Sequence, residues 1–233
     1  MKKLLLPLFA LVVTFVTAFS ANAQDAKAEV KADVKGEVKG DVQAGERKIA
    51  LCIGCHGIVG YQASFPEVYK VPKISGQGAK YIVSALNAYK TGERKHPSMR
   101  GIAESLTDQD MSDLAAYYES HGAVAGAVAA GPATGGSGKA VELVKKGACI
   151  SCHGANFATP IDPTFPKIAG QHADYLFVAL KAYKTENNAK VGRSNAVMAG
   201  IAKQFTNSEL KELAGYLSAL PGDLKVVPQA RFR

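Results

Sequence analysis

No cysteine of this 233-residue chain lies outside two short segments, so no thiol is left over for any other role. Those segments are not flanked by Val/Ile-rich strands, and without a βαβ pattern a thioredoxin-like redox pair is a poor fit. A zinc site of cysteine alone would have to join two pairs far apart in the chain and would leave the histidine beside each pair unused. The chain also lacks a basic stripe and a stacking motif, which sets aside nucleic-acid binding despite a net charge of +8. That positive excess falls mostly between residues 139 and 233, where it suits either a solvated surface or steering toward an acidic partner face.

The two cysteine segments are Cys52-Ile53-Gly54-Cys55-His56 and Cys149-Ile150-Ser151-Cys152-His153. Two thiols at this spacing can add covalently to both vinyl groups of a haem, and the imidazole that follows at once can reach the iron. Two such motifs that use every cysteine read as attachment sites for two haem c groups. Cys52, Cys55, Cys149 and Cys152 would hold them, with His56 and His153 on the irons.

Lys2 and Lys3 precede an apolar run from Leu4 to Phe19, and Ser20-Ala21-Asn22-Ala23 supplies an Ala-x-Ala cleavage site. Residues 1–23 therefore read as a secretory signal peptide, with Gln24 opening the mature chain. The alternative, an uncleaved anchor, is opposed by the shortness of the run and by the well-formed cleavage site. Haem is attached outside the bacterial cytoplasm, so export agrees with the motifs and implies a periplasmic address, with no stable membrane insertion after cleavage. Residues 24–44 form a low-complexity arm in which KAEV, KADV, KGEV and KGDV follow one another from Lys27 to Val42. Val30, Val34, Val38 and Val42 would share one helical face, but Gly36 and Gly40 make an isolated helix marginal. A solvated tether is expected, with a docking helix for a partner as the alternative.

Residues 45–121 and 139–233 are expected to be two folded, mostly helical units. In the first, Glu46 to Leu51 reads as a short helix leading into the haem motif, and Gly92 to Ile102 as a loop. Ala79 to Thr91 reads as a helix with Tyr81, Ala85, Leu86 and Tyr89 on one stripe. Leu106 to Ser120 contains an amphipathic helix capped by Thr107 or Asp108. Residues 122–138 are almost all Ala, Gly, Ser and Pro and read as a linker; a small-residue helix over Ala123 to Ala130 is the weaker alternative. The second unit repeats the first. Pro72-Lys73-Ile74-Ser75-Gly76-Gln77 returns as Pro166-Lys167-Ile168-Ala169-Gly170-Gln171, and Ala88-Tyr89-Lys90-Thr91 as Ala182-Tyr183-Lys184-Thr185. Met99-Arg100-Gly101-Ile102-Ala103 returns as Met198-Ala199-Gly200-Ile201-Ala202, and Leu114-Ala115-Ala116-Tyr117 as Leu213-Ala214-Gly215-Tyr216.

The repeat separates the methionines. Met111 aligns with Leu210 inside the final helix, as a core thioether would. Met99 and Met198 match each other beyond their respective histidines, as a second axial ligand to each iron would. His96 lies just before Met99, but Asn195 fills the matching position, so no paired role is expected; His121 and His172 read as exposed or hydrogen-bonding.

Taken together, the Cys-x-x-Cys-His motifs, the PKI-[SA]-GQ segments and the Met-x-Gly-Ile-Ala segments resemble a dihaem cytochrome c of the cytochrome c4 family over roughly residues 45–221. The resemblance implies an all-α fold: two tandem class I cytochrome c domains, each with one covalent haem and His/Met ligation. It implies that Pro72 and Pro166 offer their carbonyls to the proximal imidazoles. It also implies passage of electrons in the periplasm to a terminal oxidase or another acceptor. The partners would be redox proteins such as a membrane-bound oxidase or cytochrome complex. The alternative is the dihaem electron-accepting subunit of a larger dehydrogenase, such as a flavoprotein that oxidises sulfide. A dihaem peroxidase would need an open iron, which Met99 and Met198 oppose, and a thiosulfate-oxidising dihaem enzyme would use an extra cysteine, which the chain lacks. Units this small bury little apolar surface unaided, so the apoprotein is expected to be largely unfolded.

Overall fold

The computed structural model describes residues 38–122 and 138–228; the expected signal peptide, most of the arm and residues 123–137 of the linker lie outside the described residues. The first half runs α1 (Val42–Lys48), α2 (Ala50–His56), β1 (Gln62–Ala63), β2 (Tyr69–Lys70), α3 (Ala79–Thr91), β3 (Arg94–Lys95), α4 (Pro97–Glu104) and α5 (Asp108–Ser120). The second runs α6 (Gly138–Lys146), α7 (Ile150–His153), α8 (Ala173–Ala182), β4 (Gly192–Arg193), α9 (Ala196–Lys203) and α10 (Asn207–Ala219). The described chain is thus mostly helix with two minimal antiparallel ribbons, β1 with β2 and β3 with β4.

Each half is closed by its last helix. Capping boxes start α5 and α10: the Thr107 and Thr206 hydroxyls accept from the Asp110 and Glu209 N–H groups, whose carboxylates reach back to the threonine N–H. On α5, Met111 and Leu114 pack with Ile49, Ile53, Ile82 and Leu106; on α10, Leu210, Leu213 and Leu217 pack with Leu143, Val144, Leu176 and Phe205. Met111 and Leu210, matched by the repeat, are both completely buried. The short helix expected over Glu46 to Leu51 is instead two helices, α1 and α2, meeting at Ile49. The first of them begins within the arm, behind Asp41, whose Oδ1 accepts from the Ala44 N–H at 2.6 Å. Glycine explains the extension: a Cβ on Gly40 would lie 2.1 Å from the Ser112 carbonyl oxygen, and one on Gly45 2.1 Å from that of Asp113. Glycine at these two positions, one before α1 and one within it, lets this segment close on α5.

Asp113, 2% exposed, ties the two together by accepting from the Asp41 N–H at 2.8 Å, Lys48 Nζ at 2.6 Å and Gln109 Nε2 at 2.8 Å. Burial favours its neutral acid, but the hydrogen bonds from Lys48, the Asp41 N–H and Gln109 outweigh it and hold the carboxyl below its ordinary value. With the folded-state pKa depressed, the stabilisation is full above the usual carboxylate pKa of about 4 and is lost as pH falls through the folded value. Asp113→Ala is expected to cost about 1 kcal/mol at neutral pH, because it removes the buried carboxylate that three partly exposed donors share. Urea unfolding of the holoprotein should show that gap narrowing toward acid; a gap that is constant with pH would remove this role.

Met99 and Met198 do not lie in loops as expected. They occupy the third positions of α4 and α9, where His96 Nδ1 accepts from the Met99 N–H at 3.4 Å and Asn195 Oδ1 from the Met198 N–H at 3.0 Å. His96 and Asn195 therefore do share a role, as helix N-caps.

The halves are joined by pairing. Arg94 stands opposite Arg193 and Lys95 opposite Gly192 on the β3–β4 ribbon, and the Lys225 N–H donates to the Ser75 carbonyl at 2.9 Å.

Candidate functional site

A single cavity of about 640 Å³ opens between the halves, and every residue singled out by the two haem motifs lines it: Cys52, Cys55, His56, Cys149, Cys152 and His153. Met99 and Met198 line it from α4 and α9. The motifs arrive there on helices, so the second cysteine of each pair and the histidine sit within one turn of the first. All four thiols are free of disulfides. Burial pushes the Cys52 thiol up to about 11 and raises that of Cys149, so before haem attachment both favour the neutral form.

The imidazoles are oriented from behind. His56 Nδ1 lies 2.8 Å from the Pro72 carbonyl oxygen and His153 Nδ1 3.0 Å from that of Pro166. A carbonyl can only accept, so Nδ1 carries the proton and Nε2 keeps its lone pair. Burial lowers the pKa of both rings against the opposing pull of the proline carbonyl, which holds them neutral, as a metal ligand must be. Burial likewise lowers His96, whose Nδ1 accepts from the Met99 N–H; its Nε2 therefore carries the proton and donates to the Tyr69 hydroxyl at 3.1 Å, and burial pushes that hydroxyl's own pKa up to about 12.

Sequence reasoning passed over two arginines. Arg94 Nη2 donates to the Tyr81 hydroxyl at 3.2 Å and Arg193 Nη2 to the Tyr175 hydroxyl at 3.0 Å. Each guanidinium also lies over two rings, Arg94 over Tyr81 and Tyr89 and Arg193 over Tyr175 and Tyr183. Both line the cavity, and no carboxylate among the described residues pairs with either. Two cations turned into a cavity without a counter-ion are costly unless the occupant is an anion. A haem meets that demand through its propionates, and its size suits a largely apolar cavity on this scale. The residues present therefore fit two haem c groups. The signal was available in the repeat: Arg94 precedes Met99 by the same interval as Arg193 precedes Met198, and the four tyrosines are in register as well.

Comparison with known proteins adds the family. The family model described as cytochrome c matches twice, over residues 42–122 and 138–221. The chain is 32% identical over 194 residues to cytochrome c4 of Stutzerimonas stutzeri, covering 76% of this chain and 88% of that protein. It is 29% identical to the thiosulfate dehydrogenase electron acceptor of Stutzerimonas stutzeri strain A1501, over 76% of this chain and 82% of that one. Among solved structures, the crystal structure of reduced recombinant cytochrome c4 from Pseudomonas stutzeri superposes with a TM-score of 0.57 at 29% identity, over 78% of this chain and all of the other.

Proposed function

The chain belongs to the cytochrome c family, present twice along its length, and on that premise we propose a dihaem electron carrier in which one histidine and one methionine close each iron. It carries two covalently attached haem c groups, one per Cys-x-x-Cys-His motif. When bound, they supply reversible one-electron chemistry at iron. Cys52 and Cys55 hold one by thioether bonds and Cys149 and Cys152 the other. His56 and His153 would bind the irons through Nε2, Met99 and Met198 would supply the second protein ligand to each, and Arg94 and Arg193 would offset the propionate charge. One imidazole and one thioether on each iron would raise the potential and leave no position for substrate, which supports a carrier over an enzyme. The observation that carries this reading is the pair of imidazole-to-proline hydrogen bonds at one cavity that both methionines also line.

Residues 45–121 and 139–233 act as the two domains, joined by the linker at 122–138. Cleavage after Ala23 releases the mature chain into the periplasm; among the described residues no helix is long and apolar enough to cross a membrane. Electrons then pass to a terminal oxidase, a membrane cytochrome complex or another acceptor. The likeness to thiosulfate dehydrogenase electron acceptors favours a second reading, an electron-accepting partner of a dehydrogenase, which stable copurification with such an enzyme would support.

Optical spectra of the exported protein test the proposal. Two haems per chain are expected, with the weak far-red charge-transfer band of methionine-ligated ferric haem at the strength of two. A high-spin component that binds carbon monoxide would instead leave one iron open and reopen the question of catalysis.

A further inference from the structure

The PKI-[SA]-GQ segments do more than carry the two prolines. Gln77 Nε2 donates to the Lys167 carbonyl at 2.9 Å, and the Lys167 N–H donates to Gln77 Oε1 at 3.0 Å. The mirror arrangement holds for the other half, Gln171 Nε2 to the Lys73 carbonyl at 2.9 Å and the Lys73 N–H to Gln171 Oε1 at 3.0 Å. Each Oε1 accepts a second bond at 3.0 Å from the N–H of the next residue, Gly78 or His172, which fixes the carboxamide in plane. Both glutamines are 4% exposed. A buried side chain that satisfies both backbone groups of one residue in the other half, twice over, is a deliberate interlock and not a surface contact.

The covalent connection gives the interlock its consequence. The Pro72 carbonyl that accepts from His56 and the Lys73 N–H that donates to Gln171 belong to one peptide group; so do the Pro166 carbonyl facing His153 and the Lys167 N–H facing Gln77. The amide is a single resonant unit. Donation from its N–H pushes electron density onto its oxygen, and hydrogen bonds chained through it strengthen one another. A stronger acceptor at the proline draws more on the imidazole proton, which raises the ring's basicity toward the metal.

We propose that Gln77 and Gln171 are crossed positioning residues: Gln171, in the second half, sets the potential of the site at His56, and Gln77, in the first, sets that of the site at His153. This rests on the histidine ligation proposed above. Removing one glutamine weakens the proline as acceptor in the opposite half, makes the imidazole there a poorer donor to ferric iron and so raises that site's potential.

The test is a redox titration of the holoprotein as Gln171→Leu and Gln77→Leu variants, with each site followed by its own NMR signals. Gln171→Leu is expected to favour the reduced form about threefold at the His56 site, about 28 mV for a one-electron couple, and to leave the His153 site in place. Gln77→Leu is expected to do the reverse. A shift confined to the variant's own half, equal shifts in both, or a lowered melting temperature with no shift would each overturn the proposal. If a leucine variant does not fold, Gln171→Asn and Gln77→Asn, one methylene too short to reach, carry the same expectation. Loss of the charge-transfer band from the unaltered protein would count against methionine ligation alone, because the crossed shift depends only on the imidazoles.

Discussion

Exported protein with Cys52, Cys55, Cys149 and Cys152 all changed to alanine is expected to show no cooperative melt and to be degraded readily. The cavity between the halves is about 640 Å³. With no haem in it, the apolar lining of that cavity faces water, which costs about 25 cal/mol for each Å² of apolar surface left exposed. The polypeptide cores cannot offset that. Several of their members, Cys52, Ile82, Leu86 and Leu114 in the first half and Cys149, Leu176, Phe205 and Leu213 in the second, also line the cavity, so the cores and the haem sites share side chains. Calorimetry and urea titration of the four-alanine protein decide the matter: a sharp two-state transition near that of the holoprotein would mean that the halves fold without the cofactor.

Met99→Ala and Met198→Ala, made singly, are expected each to halve the far-red charge-transfer band and to create one site that takes up carbon monoxide. Both side chains sit in the first turn of a short helix capped independently of them, by His96 or Asn195, so truncation removes a thioether and not the helix. Loss of the sulfur lowers that site's potential by on the order of 0.1–0.3 V, a fraction of the roughly 0.8 V that axial ligands span. The opposite site should keep its potential to within the small shifts attributed to the glutamine interlock. Spectroelectrochemistry reads both quantities at once. A variant that retains the full band and refuses carbon monoxide would remove that methionine from the ligand set.

Much of this was legible in the chain because its information is local. The Cys-x-x-Cys-His spacing is a property of five consecutive residues, and the helices α3 and α5 follow from apolar periodicity and from the Thr107 capping box, all within four residues along the chain. Duplication then singled out Met99 and Met198 without any geometry, because chance does not repeat a motif in register. Local reading failed where a partner distant in sequence decides the outcome. Gly40 argues against a helix in isolation, and only the Ser112 carbonyl packed against it shows what a glycine there allows, as the Asp113 carbonyl does for Gly45. His96 and Asn195 differ in chemistry but offer one acceptor each, so their common capping role is invisible to a comparison of residue types.

By itself, the sequence determined two haem attachments, a duplicated helical unit and the family, since covalent spacing and periodicity need no third dimension. Only the tertiary structure decided how the units address each other. Gln77 meets Lys167, Gln171 meets Lys73, and Arg94 meets Arg193 across intervals of some ninety to a hundred residues. Such pairings bury polar groups that must find partners, and which partner each finds depends on how two hydrophobic cores come together, which no local pattern encodes.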